Sequence, residues 1–254
     1  MVPGASKGVA TMIPAVILAA GNSTRIGQST VNKVALPFAG KPMIVRAVES
    51  VKDIADPILV VVGAYKESVI DCLKDYRVTF IEQQQRLGTG NAVASAMPYL
   101  DKYNPDFVLV GYSDHMMLIN SDDIKKIIDF HQNNHPIITV VTAELDNPFG
   151  LGRVIKNDAG FVTDIIEEKD ALPDHKKIKL INTGPYIFNF QYLKNNISQL
   201  KIHETSGEYY LTDLVMIAAK QNLPVLDYQL DYKNIGGGVN TLEQLNQLES
   251  IASK

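Results

Sequence analysis

The stretch IPAVILAAGNSTRIGQSTVNK, residues 13–33, decides the fold. Its first eight residues are all apolar, and at Gly21 the chain turns into a mostly polar loop that carries Arg25 and Lys33. A buried strand that opens directly into such a loop is how an open parallel α/β sheet presents its ligand-binding edge. Leu18 and Ala20 lead into the loop. Gly21 lets backbone approach a phosphate closely, with the amides of Asn22, Ser23 and Thr24 available to point at it. Arg25 and Lys33 are cations able to neutralise a polyphosphate. From these residues alone, a solvated surface loop with ordinary charges is an equal reading. Two better-known phosphate loops are missing: no GxGxxG follows the strand, and AGKPM has Pro42 where a P-loop needs Ser or Thr.

Working outward, further strand-like runs occur at 56–63, 77–82, 106–112 and 136–144. They alternate with helix-period segments at 42–53, at 121–131 with Ser121 as N-cap, and at 208–221. Alternation of this kind predicts an α/β fold with a Rossmann-like mixed, mostly parallel sheet flanked by helices. Between about 150 and 190 the runs shorten and polar turns separate them, which predicts a small antiparallel lobe.

The composition narrows the class. Of 254 residues, 46% are hydrophobic and 20% charged, as in a folded chain with a sizeable core. Lys+Arg 24 against Asp+Glu 28 gives a net charge of −4, which argues against nucleic acid as the main partner. It does not exclude phosphorylated small molecules, because a few placed cations outweigh the total locally. One cysteine, Cys72, rules out an internal disulfide, an iron–sulfur cluster and a multi-Cys zinc site. No apolar run reaches the ~18 residues of a membrane span. Residues 7–20 have the texture of a signal peptide, but Pro14 interrupts them, so the chain is expected in the cytoplasm with no membrane partner.

LAAGNSTR, Lys33 and AGKPM are followed in order by RLGTGNA (86–92), YSD (112–114), GLGRV (150–154), EEKDA (167–171), INTG (181–184), GEYYLTD (207–213) and GGVN (237–240). From residue 13 onward this series resembles the sugar-nucleotide pyrophosphorylases. Within them it resembles the uridylyltransferase domain of the bacterial bifunctional N-acetylglucosamine-1-phosphate uridylyltransferase/glucosamine-1-phosphate acetyltransferase. The resemblance implies the nucleotide-diphospho-sugar transferase fold as a single unit over 13–254. Within that unit 13–145 is the nucleotide-binding part and 146–240 the sugar-binding lobe and return to the core, with 1–12 an extension. It implies Mg²⁺ as cofactor, and a nucleoside triphosphate, UTP, and a sugar 1-phosphate as partners. Arg25, Lys33 and Asp114 become the catalytic residues, with Asp114 and Asn240 on the metal. Leu18, Ala20, Gly21, Gln83, Gly88 and Thr89 take the nucleotide, and Gly152, Glu167, Lys169, Asn182 and Thr183 the sugar phosphate.

Each assignment has a plainer counterpart. Asp114 ends a strand, where a turn residue is common. Asn240 with Glu243 reads equally as a capping box for a final helix carrying Leu242, Leu245, Leu248 and Ile251. Gln83 with the GTG glycines offers a pyrimidine edge both a donor and an acceptor, or else simply opens a helix with small residues. Lys169, two residues after Glu167, would share its face if the segment were a strand, or else be an exposed lysine beside Glu168. Cys72 and His131 read as core residues. His115 is the one histidine beside the proposed site, and HKKIK (175–179) is a solvated basic turn.

Four positions depart from the family pattern. Ser23 replaces a glycine, Asn91 a histidine and Ser113 a glycine. Asn32 replaces a proline in a loop one residue longer, so Lys33 is expected to be less rigidly placed. The sequence stops at Lys254, so the acetyltransferase activity is not expected. The departures leave open another phosphorylated acceptor (a different hexose 1-phosphate or phosphocholine) or another triphosphate. A regulatory protein that binds nucleotide sugars without turnover is a rival of a different class. A molybdopterin-type nucleotidyl carrier enzyme shares the loop but gives no reason for EEKDA or GEYYLTD.

Overall fold

The computed structural model describes residues 13–21, 31–239 and 242–252. Strand β1 (Ile13–Ala19) is buried along its whole length. Its side chains alternate between two apolar layers. Ala15, Ile17 and Ala19 face a layer with α1 (Met43–Val51) and α4 (Ser121–Asn134), while Val16, Leu18 and Ala20 face one with α3 (Thr89–Leu100), α5 (Phe190–Asn196) and α6 (Asp213–Lys220). Helices on both faces are why the run is apolar at every position rather than every second one.

The other strands of the sheet are β2 (Ala55–Val62), β3 (Thr79–Glu82), β4 (Phe107–Tyr112), β5 (Ile138–Glu144), β6 (Gly152–Lys156), β7 (Val162–Ile166), β8 (Leu180–Asn189) and β9 (Val225–Gln229). The order across the sheet is β9-β5-β8-β4-β1-β2-β3, all parallel except β8. Strands β6 and β7 extend it as an antiparallel pair attached to the first half of β8. The mostly parallel sheet and the antiparallel lobe are those expected from the sequence. Helix α2 (Lys66–Cys72) follows β2, and α7 (Tyr232–Ile235) and α8 (Leu242–Ala252) close the chain. No helix among the described residues is long and apolar enough to cross a membrane.

Strand β8 brings the lobe to the sheet's carboxyl edge. Tyr186 pairs with Val110, and each step back along β8 is a step forward along β4. That ladder ends at Tyr186, a bulge follows between Asn182 and Tyr186, and the Thr183 carbonyl meets His115, the neighbour of Asp114, at 2.8 Å.

Three local expectations change. The segment 208–221 is not one helix: Glu208–Tyr209 pairs antiparallel with Ile202–His203, and α6 starts only at Asp213. The amides of Tyr209 and Leu211 bond Leu87 O (2.8 Å) and Thr89 Oγ1 (3.0 Å), which ties this extended segment to the GTG loop. Helix α4 is capped by Asn120, whose side chain accepts from the Asp123 amide, not by Ser121. Strand β7 ends at Ile166, and the following residues form a turn in which Asp170 N–H bonds Glu167 O (2.9 Å). Lys169 is therefore exposed in a turn, and the strand alternation that would set it beside Glu167 does not hold.

Cys72 is half-buried at the end of α2 and packs on the core. His131 is a core residue as expected: it is 5% exposed, its Nδ1 lies 2.8 Å from Thr139 Oγ1, and it packs on Phe107. Burial, helped by nearby His135, pulls its pKa down to about 4. The unfolded chain takes up a proton near pH 6.5 that the folded chain refuses until about pH 4. Stability from this group is thus complete above pH 6.5 and is lost as the pH falls toward 4, by up to ~3 kcal/mol. Urea denaturation of wild type and His131→Gln between pH 7.5 and 4.5 checks this: the wild type should lose more stability on acidification than the variant.

Candidate active site

The carboxyl end of β1 is held from the side by β4. Leu18 O accepts from both the amide (3.2 Å) and the hydroxyl (2.6 Å) of buried Ser113. Leu18 and Ala20 are buried and Gly21 is exposed at the strand's exit. Asn22 to Thr30, including Ser23 and Arg25, lie outside the described residues. The chain continues through Asn32 into a single 3₁₀ turn, Lys33–Ala35. The Lys33 ammonium lies 2.5 Å from Asp114 Oδ2 and 2.7 Å from the carbonyl of Val239. Three remote stretches of sequence therefore meet at one cation. Asn240, the residue after Val239, lies outside the described residues.

Burial pushes the Asp114 carboxyl upward, but the Lys33 ammonium beside it wins and holds it below the usual carboxylate range. Neighbouring His115 is pulled down by burial, against the pull of Asp114. Lys33 is the stronger of the two influences that lower Asp114, and His115 adds to it. His115 also acts as a strut. Its Nδ1 meets Thr183 O at 2.8 Å, its ring stands edge-on to Tyr112, and its Nε2 presses on Gly238, where a Cβ would come within 2.3 Å.

On the nucleotide side, the two amide hydrogens of buried Gln83 go to Gly88 O (3.0 Å) and Asn91 Oδ1 (2.8 Å). Both hydrogens are thus engaged within the chain, so the side chain does not present the donor–acceptor pair expected from sequence, and Asn91 takes part in fixing it. Gly88 has φ +92° and ψ −176°, a region essentially reserved for glycine. The GEYYLTD segment packs directly on it, so a Cβ there would lie 2.7 Å from Tyr209 O.

On the lobe side, Gly152 pairs with Asn182, and a Cβ on Gly152 would sit 3.5 Å from Glu167 Oε2 and 3.6 Å from Asn182 Cβ. Gly152, Glu167 and Asn182 therefore line one spot, left open by the missing side chain. Burial raises the Glu167 pKa, against a 3.2 Å hydrogen bond from Thr212 and with help from Asp170, Asp213 and Glu208. Asn182 Nδ2 donates to Tyr186 OH (2.5 Å), which in turn lies 3.4 Å from Tyr112 OH. Thr183 is present but turned away, its hydroxyl donating to Val141 O (3.0 Å). Behind this spot the buried Arg153 guanidinium pairs with Glu168 (2.8 Å), and Glu168 also accepts from the Gly150 amide (3.2 Å). That pair fixes the turn carrying Glu167. The neighbouring HKKIK stretch is a solvated turn as expected, with Lys176 3.4 Å from Glu168.

Sequence reading passed over Tyr112, Thr212 and the Arg153–Glu168 pair, although all four lie within quoted motifs. Motif identity marks them, but their partners are remote and only the fold supplies those.

A family model for the MobA-like NTP transferase domain matches residues 15–168, more than half of the chain. The chain belongs to the MobA-like NTP transferase family. This NTP transferase chain is 37% identical, over 243 residues and 93% of its length, to the bifunctional protein GlmU of Francisella tularensis subsp. holarctica strain OSU18, and equally to that of subsp. novicida strain U112. The likeness agrees with the motif series. It covers 50% of each relative, so the chain spans about half the length of the curated relatives it matches. A Bacillus anthracis structure described as a glucose-1-phosphate thymidylyltransferase superposes with a TM-score of 0.73 at 22% identity, covering 94% of this chain and 95% of that one. That likeness establishes the shared fold.

Gly88→Ala tests how the NTP transferase chain holds its GTG loop. The forbidden backbone region and the contact with Tyr209 predict a loss of about 2 kcal/mol or more in urea denaturation.

Proposed function

We propose that the chain transfers a uridylyl group from UTP to N-acetylglucosamine 1-phosphate, yielding UDP-N-acetylglucosamine and pyrophosphate. The observation that carries this reading is the meeting of Lys33, Asp114 and the Val239 carbonyl, with the Gly152–Glu167–Asn182 spot joined to it through Thr183, whose carbonyl meets His115 at 2.8 Å. The motif resemblance and the 37% identity to GlmU supply the substrates.

The donor set suits a divalent cation. The Lys33 ammonium is itself a stand-in, since it shows a positive centre fitting between a carboxylate oxygen at 2.5 Å and a carbonyl oxygen at 2.7 Å. Mg²⁺ takes oxygen ligands of this kind, characteristically one or two carboxylates completed by substrate phosphates and water. Asp114, and Asn240 by resemblance, would hold it. When bound, it supplies charge neutralisation to phosphate oxygens.

The chain's own residues then have defined work. A phosphate oxygen of the sugar forms a bond to the α-phosphorus of UTP as the bond to the β-phosphate oxygen breaks, and pyrophosphate leaves. The attacking phosphate is already ionised, so no protein nucleophile is needed, and positioning and charge do the catalysis. Lys33 and Arg25 neutralise the triphosphate. Gly21, Gly88 and Thr89 bring backbone close to the nucleotide, and Gln83 Oε1 accepts from the uracil N–H. Glu167 and Asn182 take the sugar hydroxyls and the acetamido group. Both substrates are soluble anions, so the reaction is assigned to the cytoplasm.

Pyrophosphate release with Mg²⁺, over a grid of nucleoside triphosphates and sugar 1-phosphates, tests the proposal. The expected result is turnover confined to UTP with N-acetylglucosamine 1-phosphate. Activity confined to a different pair would overturn the substrates, and silence across the grid from folded protein would overturn the reaction. Asp114→Ala should lower kcat by roughly 10³-fold or more in protein that circular dichroism shows to be folded, and should also lower the melting temperature, because it leaves the Lys33 ammonium without its partner. Glu167→Gln should raise the KM for the sugar phosphate about tenfold and leave that for UTP unchanged.

A further inference from the structure

Asn32 is 0% exposed, and its side chain is tied to parts of the chain far from it in sequence. Its Nδ2 donates to Ala64 O at 2.8 Å and Ala19 O at 3.1 Å, with Gly21 O a longer third acceptor at 3.4 Å. Its Oδ1 accepts from the Val34 amide at 3.1 Å, and its own amide donates to Ser68 Oγ at 3.0 Å. Ala19 and Gly21 are the exit of β1, Ala64 follows β2, and Ser68 belongs to α2. Only a carboxamide satisfies this set, because two hydrogens must face carbonyls while an oxygen faces an N–H. Turned over, it would set oxygen against three carbonyls, so its orientation is determined.

We propose that Asn32 is a positioning residue for nucleotidyl transfer, acting through Lys33. The proposal rests on the reading of Lys33 as a phosphate-neutralising group. A lysine stem is flexible, and its reach is set by where its Cα is anchored. Here the anchor is the residue immediately before it, pinned across the carboxyl ends of β1 and β2. Those ends run so close that a Cβ on Gly63 would lie 2.7 Å from Ala20 O. The φ of Asn32, −66°, is the one a proline ring would impose. Hydrogen bonds therefore do here what a ring does in the family pattern, fixing the backbone from which Lys33 extends.

The test is a double-mutant cycle, with Asn32→Ala and Lys33→Ala made singly and together, read by steady-state pyrophosphate release. Circular dichroism and melting temperature establish folding of each variant. If Asn32→Ala does not fold, Asn32→Asp or Asn32→Ser takes its place; Asp keeps the size and the acceptor for Val34 but turns an oxygen toward the carbonyls. Asn32→Ala should lower kcat by up to about 10²-fold in the wild-type background. In the Lys33→Ala background it should lower it by under about threefold, because the group it positions is gone. Equal factors in the two backgrounds, or a wild-type kcat for Asn32→Ala, would overturn the proposal. A second readout does not use the reaction: acylation of lysines by an acetyl ester, followed by mass spectrometry. Lys33 should label severalfold faster in Asn32→Ala than in wild type, with Lys41 and Lys66 unchanged. An unchanged Lys33 rate would overturn the proposal as well. A wild-type chain that releases no pyrophosphate speaks against the assigned reaction alone, and the labelling still decides Asn32.

Discussion

The ion pair between Lys33 and Asp114 is the contact on which the site's arrangement depends. An ammonium and a carboxylate at 2.5 Å, largely out of water, attract strongly, and each makes the other's burial tolerable. Lys33 comes from the turn after β1, Asp114 from the end of β4, and the Val239 carbonyl from the chain's return after α7. Bringing these together requires β1 beside β4 and the last segment folded back over both. The lowered pKa of His115 belongs to the same balance. Burial and the Lys33 ammonium both press the His115 pKa down, against the pull of Asp114, while its ring serves as a strut.

Much of this was legible in the sequence because it depends on short-range pattern. The all-apolar run 13–20 forces a strand covered on both faces, and the break at Gly21 fixes where its edge lies. His131 on an apolar helix stripe and Asp114 at a strand end follow from position alone. What was not legible depends on partners remote in sequence. Lys169 read as a strand neighbour of Glu167, but Glu168 is drawn inward by buried Arg153 and the chain turns there instead. Residues 208–212 have helical spacing, yet Glu208 and Tyr209 are drawn into an extended pairing with Ile202 and His203 and bonded to the stretch 87–89. Thr183 lies beside Asn182, but its hydroxyl belongs to Val141.

The departures from the family pattern follow the same logic. Taken singly, Asn32, Asn91 and Ser113 look like losses of a proline, a histidine and a glycine. In the fold each finds a buried partner: Asn32 the carbonyls of β1 and β2, Asn91 the amide of Gln83, Ser113 the carbonyl of Leu18. Asn32 and Ser113 grip the last residues of β1 from opposite sides, between β2 and β4. A buried polar group is costly unless fully paired, so such substitutions survive only where the surrounding backbone already offers the complement.

Strand β8 has a mechanical consequence. Its second half is bonded between β4 and β5 and its first half to β6, so one continuous strand belongs to both the sheet and the lobe. Hinge motions in two-part enzymes place the pivot in loops that connect the parts without bonding to either. Here, swinging the lobe would require breaking ladder hydrogen bonds within β8. The sheet and the lobe are therefore tied through one strand, with a bulge between Asn182 and Tyr186 where its pairing with β5 shifts. Adjustment to an incoming molecule falls to the loops at the rim.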